Sequence, residues 1–212
     1  MTTTQFSFDD INRKIAVITG GASVLCGAFT RALTGVGAKI ALLDINKNAA
    51  QKAAKDVAKL SGAQVIGIAC DVLSKKSLEA ARIQINAKFG PIDILVNGAG
   101  GNAKSATTEI EQISDMVDAP KSFYGLEIDG FNSVFNLNFI GTLLPTQILS
   151  QDMSHKKIRR CYQHFIDGGV SSAVENSCLF CSKSCCIKHH GMAGCIWHPW
   201  AFGSTPWRQG SF

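Results

Sequence analysis

The amino-acid sequence predicts an α/β fold built on a doubly wound parallel sheet, and two observations support this. Short apolar runs rich in Ile, Val and Leu alternate with segments of helical periodicity, each about twelve residues long, which is typical of βαβ units. The first apolar run also ends in a pair of glycines, and polar residues follow the other runs. Because crossovers between parallel strands are right-handed, these units assemble into one half of a doubly wound sheet.

Each predicted element follows from a local pattern. Apolar and β-branched residues predict four strands, at 14–19, 39–44, 64–70 and 93–97. Three intervening helices are predicted: at 25–36 from an apolar helical face that ends at glycines, at about 46–60 from a segment rich in Ala, Lys and Gln, and at 75–88 from a segment that ends at Gly90-Pro91. An insert at about 101–130 precedes a longer predicted helix at about 131–152. The expected architecture is a truncated Rossmann-like sheet with strand order 3-2-1-4.

Composition and charge limit the functional classes. The 212 residues are 46% hydrophobic and 17% charged, which excludes a disordered chain and allows a proper core. No apolar run is long enough for a membrane span, and residues 1–14 lack a secretory signal pattern, so we expect a cytoplasmic protein. The net charge of +5 comes without a long Lys/Arg block, so a nucleic-acid partner is not expected.

Polar and glycine residues follow the first two predicted strands, where a doubly wound sheet binds its ligand. Thr19, Gly20-Gly21 and Ser23 open the first helix, whose N-terminus can bind a phosphate through free N–H groups and its dipole. Asp44, at the end of the second strand, is suited to accept bonds from ribose hydroxyls and would repel a 2′-phosphate. The pattern predicts a dinucleotide site that favours NAD over NADP; a solvated turn carboxylate is the alternative for Asp44.

Several motifs together resemble those of the short-chain dehydrogenases/reductases. They are Thr19-Gly20, Asp44, Cys70-Asp71-Val72 and Asn97-Gly98-Ala99-Gly100. The Asn-Gly-Ala-Gly sequence after the fourth strand is the most specific of them. The resemblance implies that Asp71 lies near the adenine and that Asn97 holds the central strand near the cofactor.

The resemblance also implies which residues form the site. The cofactor-binding residues would be Thr19, Gly20, Ser23, Leu25, Asp44, Asp71, Val72, Asn97, Gly98 and Ala99. Asn138 and Gly141 match the family's Asn-x-x-Gly on the next long helix, so Asn138 is the expected catalytic residue of the proton relay. The alternative for Asn138 is a helix-face amide making a local bond. None of these residues is expected to bind a metal.

One departure from the usual family pattern points to a branch of the family. Val24 and Cys26 stand where the later glycines of the loop are usual, and this variant resembles the D-mannonate oxidoreductases. The stretch 134–147 and the long insert also resemble that branch, which implies a polar sugar-acid substrate such as a uronate. Lys104 and Lys121 are candidates to contact its carboxylate, although surface lysines without such a role are the simpler interpretation.

The composition changes abruptly near residues 154–160. Six of the eight cysteines, all three tryptophans and all five histidines lie after residue 154. We therefore divide the chain into a nucleotide-binding portion, 1–155, and a tail without a domain, 156–212.

The tail lacks the catalytic residues that the resemblance requires. A short-chain dehydrogenase uses Ser, Tyr and Lys, with the last two spaced Tyr-x-x-x-Lys so that both face one way on a helix. No tyrosine follows Tyr162. The tail instead contains Cys178, Cys181, Cys185-Cys186, Cys195 and several histidines, which could form a zinc site, although the spacings match no paired Cys-x-x-Cys pattern.

A shift of reading frame near residues 156–160 explains the tail better. Each true codon would then combine the last two bases of one written codon with the first base of the next. Met192-Ala193 necessarily gives TGG, a tryptophan codon. The shifted frame permits Asn-Ile-Ser-Ser ending at the position of Ile166, Tyr at that of Leu179, and Lys at that of Lys183. These are the spacings of the missing catalytic motif.

The frameshift interpretation has structural and functional consequences. Strands five to seven would be lost, which would leave strand 93–97 as an apolar, aggregation-prone edge. The chain is expected to be inactive, and the homo-oligomer implied for the intact family member is doubtful here. The alternative from another functional class is a non-catalytic nucleotide-binding fragment, with or without zinc in its tail.

Overall fold

The computed structural model describes residues 11–110, 119–120, 122–153 and 160–163. The seven elements predicted between residues 14 and 97 are confirmed, with bounds that agree within one residue. The strands and α-helices are β1 Ile15–Thr19, α1 Val24–Gly35, β2 Lys39–Asp44, α2 Lys47–Ser61, β3 Val65–Ala69, α3 Lys75–Lys88, β4 Ile94–Asn97, α4 Ile128–Phe135, α5 Gly141–Leu149 and β5 Arg160–Gln163. Among the described residues, no helix is both long and apolar enough to cross a membrane.

The sheet is parallel and confirms the predicted order 3-2-1-4, but a fifth strand extends it. The full order is β3-β2-β1-β4-β5. β5 pairs with β4 in parallel, and Asn97 is opposite Gln163 in the register. The expectation that β4 would be the sheet edge is therefore wrong, because four residues of the tail cover it. The rest of the tail, residues 156–159 and 164–212, lies outside the described residues, as do its zinc-ligand candidates.

Both faces of the sheet are buried, as the continuous apolar runs of its strands require. Alternate residues of each strand point to opposite faces, so β1 contributes Val17 to one core and Ile18 to the other. The first core packs the sheet against α3 and α5, and includes Leu78 and Leu149. The second packs it against α1 and α2, and includes Ala54. Helices on both faces leave the carboxyl ends of the strands as the place for a site.

Side-chain caps fix where the first three helices begin. Ser23, Asn46 and Ser74 each accept a hydrogen bond from the backbone N–H three residues later. Such a bond satisfies one of the N–H groups that a helix start leaves without an intrahelical partner. α2 ends at Gly62, whose φ of 68° is the left-handed conformation that favours glycine. The caps place the start of each helix directly beside a strand end.

The predicted long helix at 131–152 is interrupted. α4 is followed by a π-helical turn, Asn136–Ile140, in which the Gly141 N–H donates to Asn136 O, and α5 then continues to Leu149. Gly141 allows this turn to approach the loop between β3 and α3, since a Cβ there would lie 3.1 Å from Val72 Cγ2. Phe135 remains 52% exposed and stacks on Phe139.

An ion pair fixes the end of α5 to α3. The Arg82 guanidinium donates to Asp152 through Nε, at 2.8 Å from Oδ1, and through Nη2, while Nη1 donates to Gln151. The Asp152 side chain is only 5% exposed, and its Oδ2 also accepts from the Ile92 N–H. Burial opposes the charge, but hydrogen bonds from Arg82, Asn86 and the Ile92 N–H prevail and lower the pKa of Asp152.

We expect Asp152→Asn to lower the free energy of unfolding by about 1–3 kcal/mol at pH 7, because it leaves a half-buried guanidinium without its carboxylate. Folding lowers the pKa of this carboxyl, so its contribution to stability is fully present at pH values above its ordinary pKa of 3.8. The contribution is lost as the pH falls through the lower pKa of the folded state. The difference between variant and wild type should therefore shrink below pH 3.8 in urea titrations.

Glu79→Gln is the matched control for this prediction. Glu79 forms an exposed pair with Lys75 on the same α3 helix, at 3.8 Å. Such pairs contribute at most about 1 kcal/mol. Equal losses of stability in the two variants at pH 7 would contradict the role given to Asp152.

Candidate cofactor site

The loop between β1 and α1 forms one wall of the site. Gly20 has a φ of 63°, and a Cβ there would lie 2.7 Å from Gly98 O, so this position requires glycine for two reasons. Ser23 then caps α1, with its Oγ accepting from Cys26 N at 3.3 Å. The first turn of α1 contains no acidic residue. Its positive dipole end is thus available to an anion.

Thr19 joins this loop to the turn that follows β4. Its side chain is fully buried, and Oγ1 accepts hydrogen bonds from the N–H groups of both Gly98 and Ala99, each at 3.1 Å. In the sheet register Thr19 is opposite Asn97. The structure therefore brings four of the predicted residues together at the ends of two adjacent central strands.

Cys26 fills the place where the family pattern usually has a glycine. Its thiol is fully buried, at 3.6 Å from Thr19 O and 3.9 Å from Gly98 O. Burial, with a smaller contribution from the charge of Asp44, raises the pKa of the thiol against the opposing bond with Ser23. The group therefore stays neutral, and its single S–H can donate weakly to either carbonyl. Gly98 must lack a side chain, because a Cβ would clash with Cys26 Sγ.

Asp44 connects the end of β2 to the glycine loop. Its Oδ2 accepts from the Ala22 N–H at 3.1 Å, and its Oδ1 accepts from the Asn46 N–H at 3.0 Å. These two bonds fix the carboxylate beside the start of α1. Each oxygen keeps a further lone pair for an incoming hydroxyl donor.

The structure separates the remaining predicted cofactor residues into two groups. Asp71 lies two residues after the end of β3 and accepts from the Leu73 N–H through Oδ1 at 2.9 Å, while Val72 is buried beside Gly141. Leu25, in the first turn of α1, is 41% exposed.

Asn138, the predicted catalytic residue, lies in the π-helical turn and holds the end of the turn after β4. Its Oδ1 accepts from Gly101 N at 2.9 Å, and its Nδ2 donates to Gly101 O at 3.0 Å. The side-chain amide is thus engaged with the backbone on both sides. The backbone carbonyl of Asn138 accepts a hydrogen bond from the Thr142 hydroxyl.

The residues present fit a dinucleotide. A helix N-terminus without acidic residues suits a diphosphate, and the fixed carboxylate of Asp44 lies beside it at the end of the next strand. Asn97 Oδ1 is buried and has no hydrogen-bond partner among the described residues. The residues that the structure describes include no group of three or more His, Cys, Asp or Glu side chains that could hold a metal ion.

Comparison with known proteins decides the family. The profile of the short chain dehydrogenase family matches residues 14–159, which is more than half of the chain. The chain belongs to the short chain dehydrogenase family. An uncharacterized oxidoreductase from Haemophilus influenzae is 40% identical over 149 residues, which are 70% of this chain and 52% of that protein. The chain spans about half the length of the curated relatives it matches.

Two solved structures share the fold and part of the sequence. A crystal structure of a candidate D-mannonate oxidoreductase from Haemophilus influenzae with bound NAD is 38% identical, with a TM-score of 0.68 over 72% of this chain and 54% of the other. NAD⁺-bound xylitol dehydrogenase is 25% identical, with a TM-score of 0.61 over 72% of this chain and 53% of the other. Both matches cover about half of the longer protein.

Sequence reasoning missed two contributors to the geometry. Cys26 was recognised only as a departure from the glycine pattern, whereas the structure packs it against Gly98. Thr146 gave no signal, although its hydroxyl accepts from Asn97 Nδ2 at 2.8 Å. The two residues are 49 positions apart, so no local pattern indicates the contact.

We expect Gly98→Ala to destabilise the chain by about 1–3 kcal/mol, as overpacking of a filled core does. Gly35→Ala is the control, since a Cβ at the end of α1 meets nothing within 4 Å. Adding Cys26→Ala should recover part of the loss but not all, because Thr19 O also lies 2.8 Å from the new Cβ. Urea titrations check this; equal effects at Gly98 and Gly35 would contradict it.

Proposed function

We propose that residues 14–159 are the NAD-binding portion of an oxidoreductase that moves hydride between NAD and a sugar acid or polyol. The observation that supports it most is the carboxylate of Asp44, bonded to Ala22 N in the glycine loop at the start of α1. If Asp44 faces the adenosine ribose, as we propose, its negative charge favours two free hydroxyls over a 2′-phosphate.

In this proposal each part of the site has a distinct task. The N-terminus of α1, capped by Ser23, would hold the diphosphate, and Asp44 would accept from the ribose hydroxyls. Asp71 and Val72 would line the adenine side, and the turn from Asn97 to Ala99 would support the ribose next to the nicotinamide. Bound NAD supplies the hydride chemistry.

Two similarities support the substrate class. The NAD-bound solved relative that is 38% identical is designated a candidate D-mannonate oxidoreductase. A D-threitol dehydrogenase from Mycolicibacterium smegmatis is 32% identical over 143 residues, which are 68% of this chain. Both names describe polyhydroxylated substrates, so a sugar acid or polyol is the substrate class that we propose for the intact enzyme.

Asp44→Asn should reduce the preference for NADH over NADPH by about tenfold, because it removes the charge that repels a 2′-phosphate. Fluorescence titration of the reduced nicotinamide measures both dissociation constants. Asp56→Asn removes an exposed carboxylate from α2 and should change neither. A wild-type chain that binds neither nucleotide, or an unchanged preference in Asp44→Asn, would refute the proposed site.

We further propose that the chain as written lacks turnover because residues after about 156–160 are translated out of frame. The family match ends at residue 159, at the position where the composition changes. The shifted frame also permits the apolar sequence Val-Ile-Asn-Ile beginning at Cys161, where the structure has β5. This is the strand that should carry the chain towards the catalytic serine.

Deleting one base between codons 156 and 160 should restore the catalytic serine, tyrosine and lysine, and with them NADH formation from NAD and D-mannonate or a related polyol. The uncorrected 212-residue chain should form none. The nucleotide sequence gives a direct check. The proposal fails if the shifted frame does not encode Tyr at the position of Leu179 and Lys at that of Lys183, or if the uncorrected chain is active.

A further inference from the structure

A chain of hydrogen bonds connects α5 to the end of β4. Asn97 Nδ2 donates to Thr146 Oγ1 at 2.8 Å, and the same hydroxyl donates to Thr142 O at 2.8 Å. Thr142 in turn donates through its own hydroxyl to Asn138 O, also at 2.8 Å. The first two of these bonds share the Thr146 hydroxyl, so each polarises and strengthens the other.

The same elements are connected a second time through the turn at 98–101. This turn begins at Asn97 and is held at its start by Thr19 Oγ1, which accepts from Gly98 and Ala99. At its end it is held by Asn138, whose amide bonds both backbone groups of Gly101. The hydrogen bonds therefore close a ring that runs from β4 through the turn to the π-helical turn, and returns along α5.

We propose that Thr146 is a positioning residue for the 98–101 turn, acting through Asn97. Asn97 is fully buried, and its Oδ1 has no partner among the described residues, so Thr146 supplies the one side-chain bond that fixes its orientation. Loss of that bond would leave a buried amide with neither end satisfied, which is costly. The amide would then reorient and displace the turn that follows it.

One consequence of the inference rests on the proposed function, namely that the 98–101 turn supports the bound dinucleotide. A Cβ on Gly100 would lie 2.8 Å from Asn138 Oδ1, so the turn packs closely against the side chain that bonds Gly101. A displacement that starts at Asn97 would therefore disturb this contact as well as the bonds at the start of the turn.

Amide hydrogen exchange of the full chain, followed by NMR without nucleotide, tests the positioning directly. Thr146→Val should accelerate exchange at Gly98, Ala99 and Gly101 by about tenfold relative to the core amide of Leu42. Thr146→Ser keeps the hydroxyl and should restore the wild-type ratio.

Thr34→Val is the matched control, since Thr34 is a buried helix threonine whose hydroxyl bonds only to carbonyls of its own helix. It should change exchange in the turn and in the core by the same factor. The inference is overturned if Thr146→Val also gives only a uniform change, or if Thr146→Ser does not restore the ratio.

A second measurement separates this inference from the proposed function. In NADH titrations, Thr146→Val should weaken binding about tenfold, and Thr146→Ser should not. A wild-type chain that fails to bind NADH overturns the proposed function, while the exchange ratios still decide whether Thr146 positions the turn. Normal NADH binding by Thr146→Val would show that the turn does not support the nucleotide.

Discussion

The buried hydroxyl of Thr19 is the contact on which the geometry of the site depends most. It lies at the end of β1 and accepts two N–H groups from the turn after β4, so the two central strands end at a fixed separation. The next residue must be glycine, because Gly20 has a left-handed φ and the backbone of Gly98 and Ala99 occupies the place where its Cβ would lie. The start of α1, the position of Asp44 and the path of the turn towards Asn138 all follow from this arrangement.

A second layer of contacts keeps this arrangement from loosening. The neutral thiol of Cys26 fills the space between the end of β1 and the turn after β4 and lies within reach of a carbonyl of each, where a glycine would leave room. Farther away, the pair between Arg82 and Asp152 fixes the end of α5 to α3. The helix that holds Asn138 and Thr146 is thus anchored at both ends, by the turn after β4 and by this pair.

Most of the fold could be predicted from the sequence because its elements are signalled locally. The apolar runs of the first four strands, and caps such as Ser23 and Asn46, determine where each element starts. The π-helical turn could not be predicted, because no residue type demands it and it depends on Gly141 approaching Val72. β5 was also missed, since Arg160–Gln163 carry no strong strand pattern and are ordered by pairing with β4. For the candidate site, the strand ends could be predicted from the sequence. The contacts between those ends could not, because they join residues far apart in the chain.

The π-helical turn has one more consequence, for the angular phase of the helix. Each residue of an α-helix advances about 100° around the axis, and a wider turn places one residue more than an α-helix would between the segments on either side. The wider turn therefore sets the angle between the buried residues of α4, such as Val134, and those of α5, such as Ile148 and Leu149. Removing a single residue from Asn136–Ile140 would rotate one segment by about 100° relative to the other and turn its buried residues away from their neighbours, so the length of this stretch is as constrained as its composition.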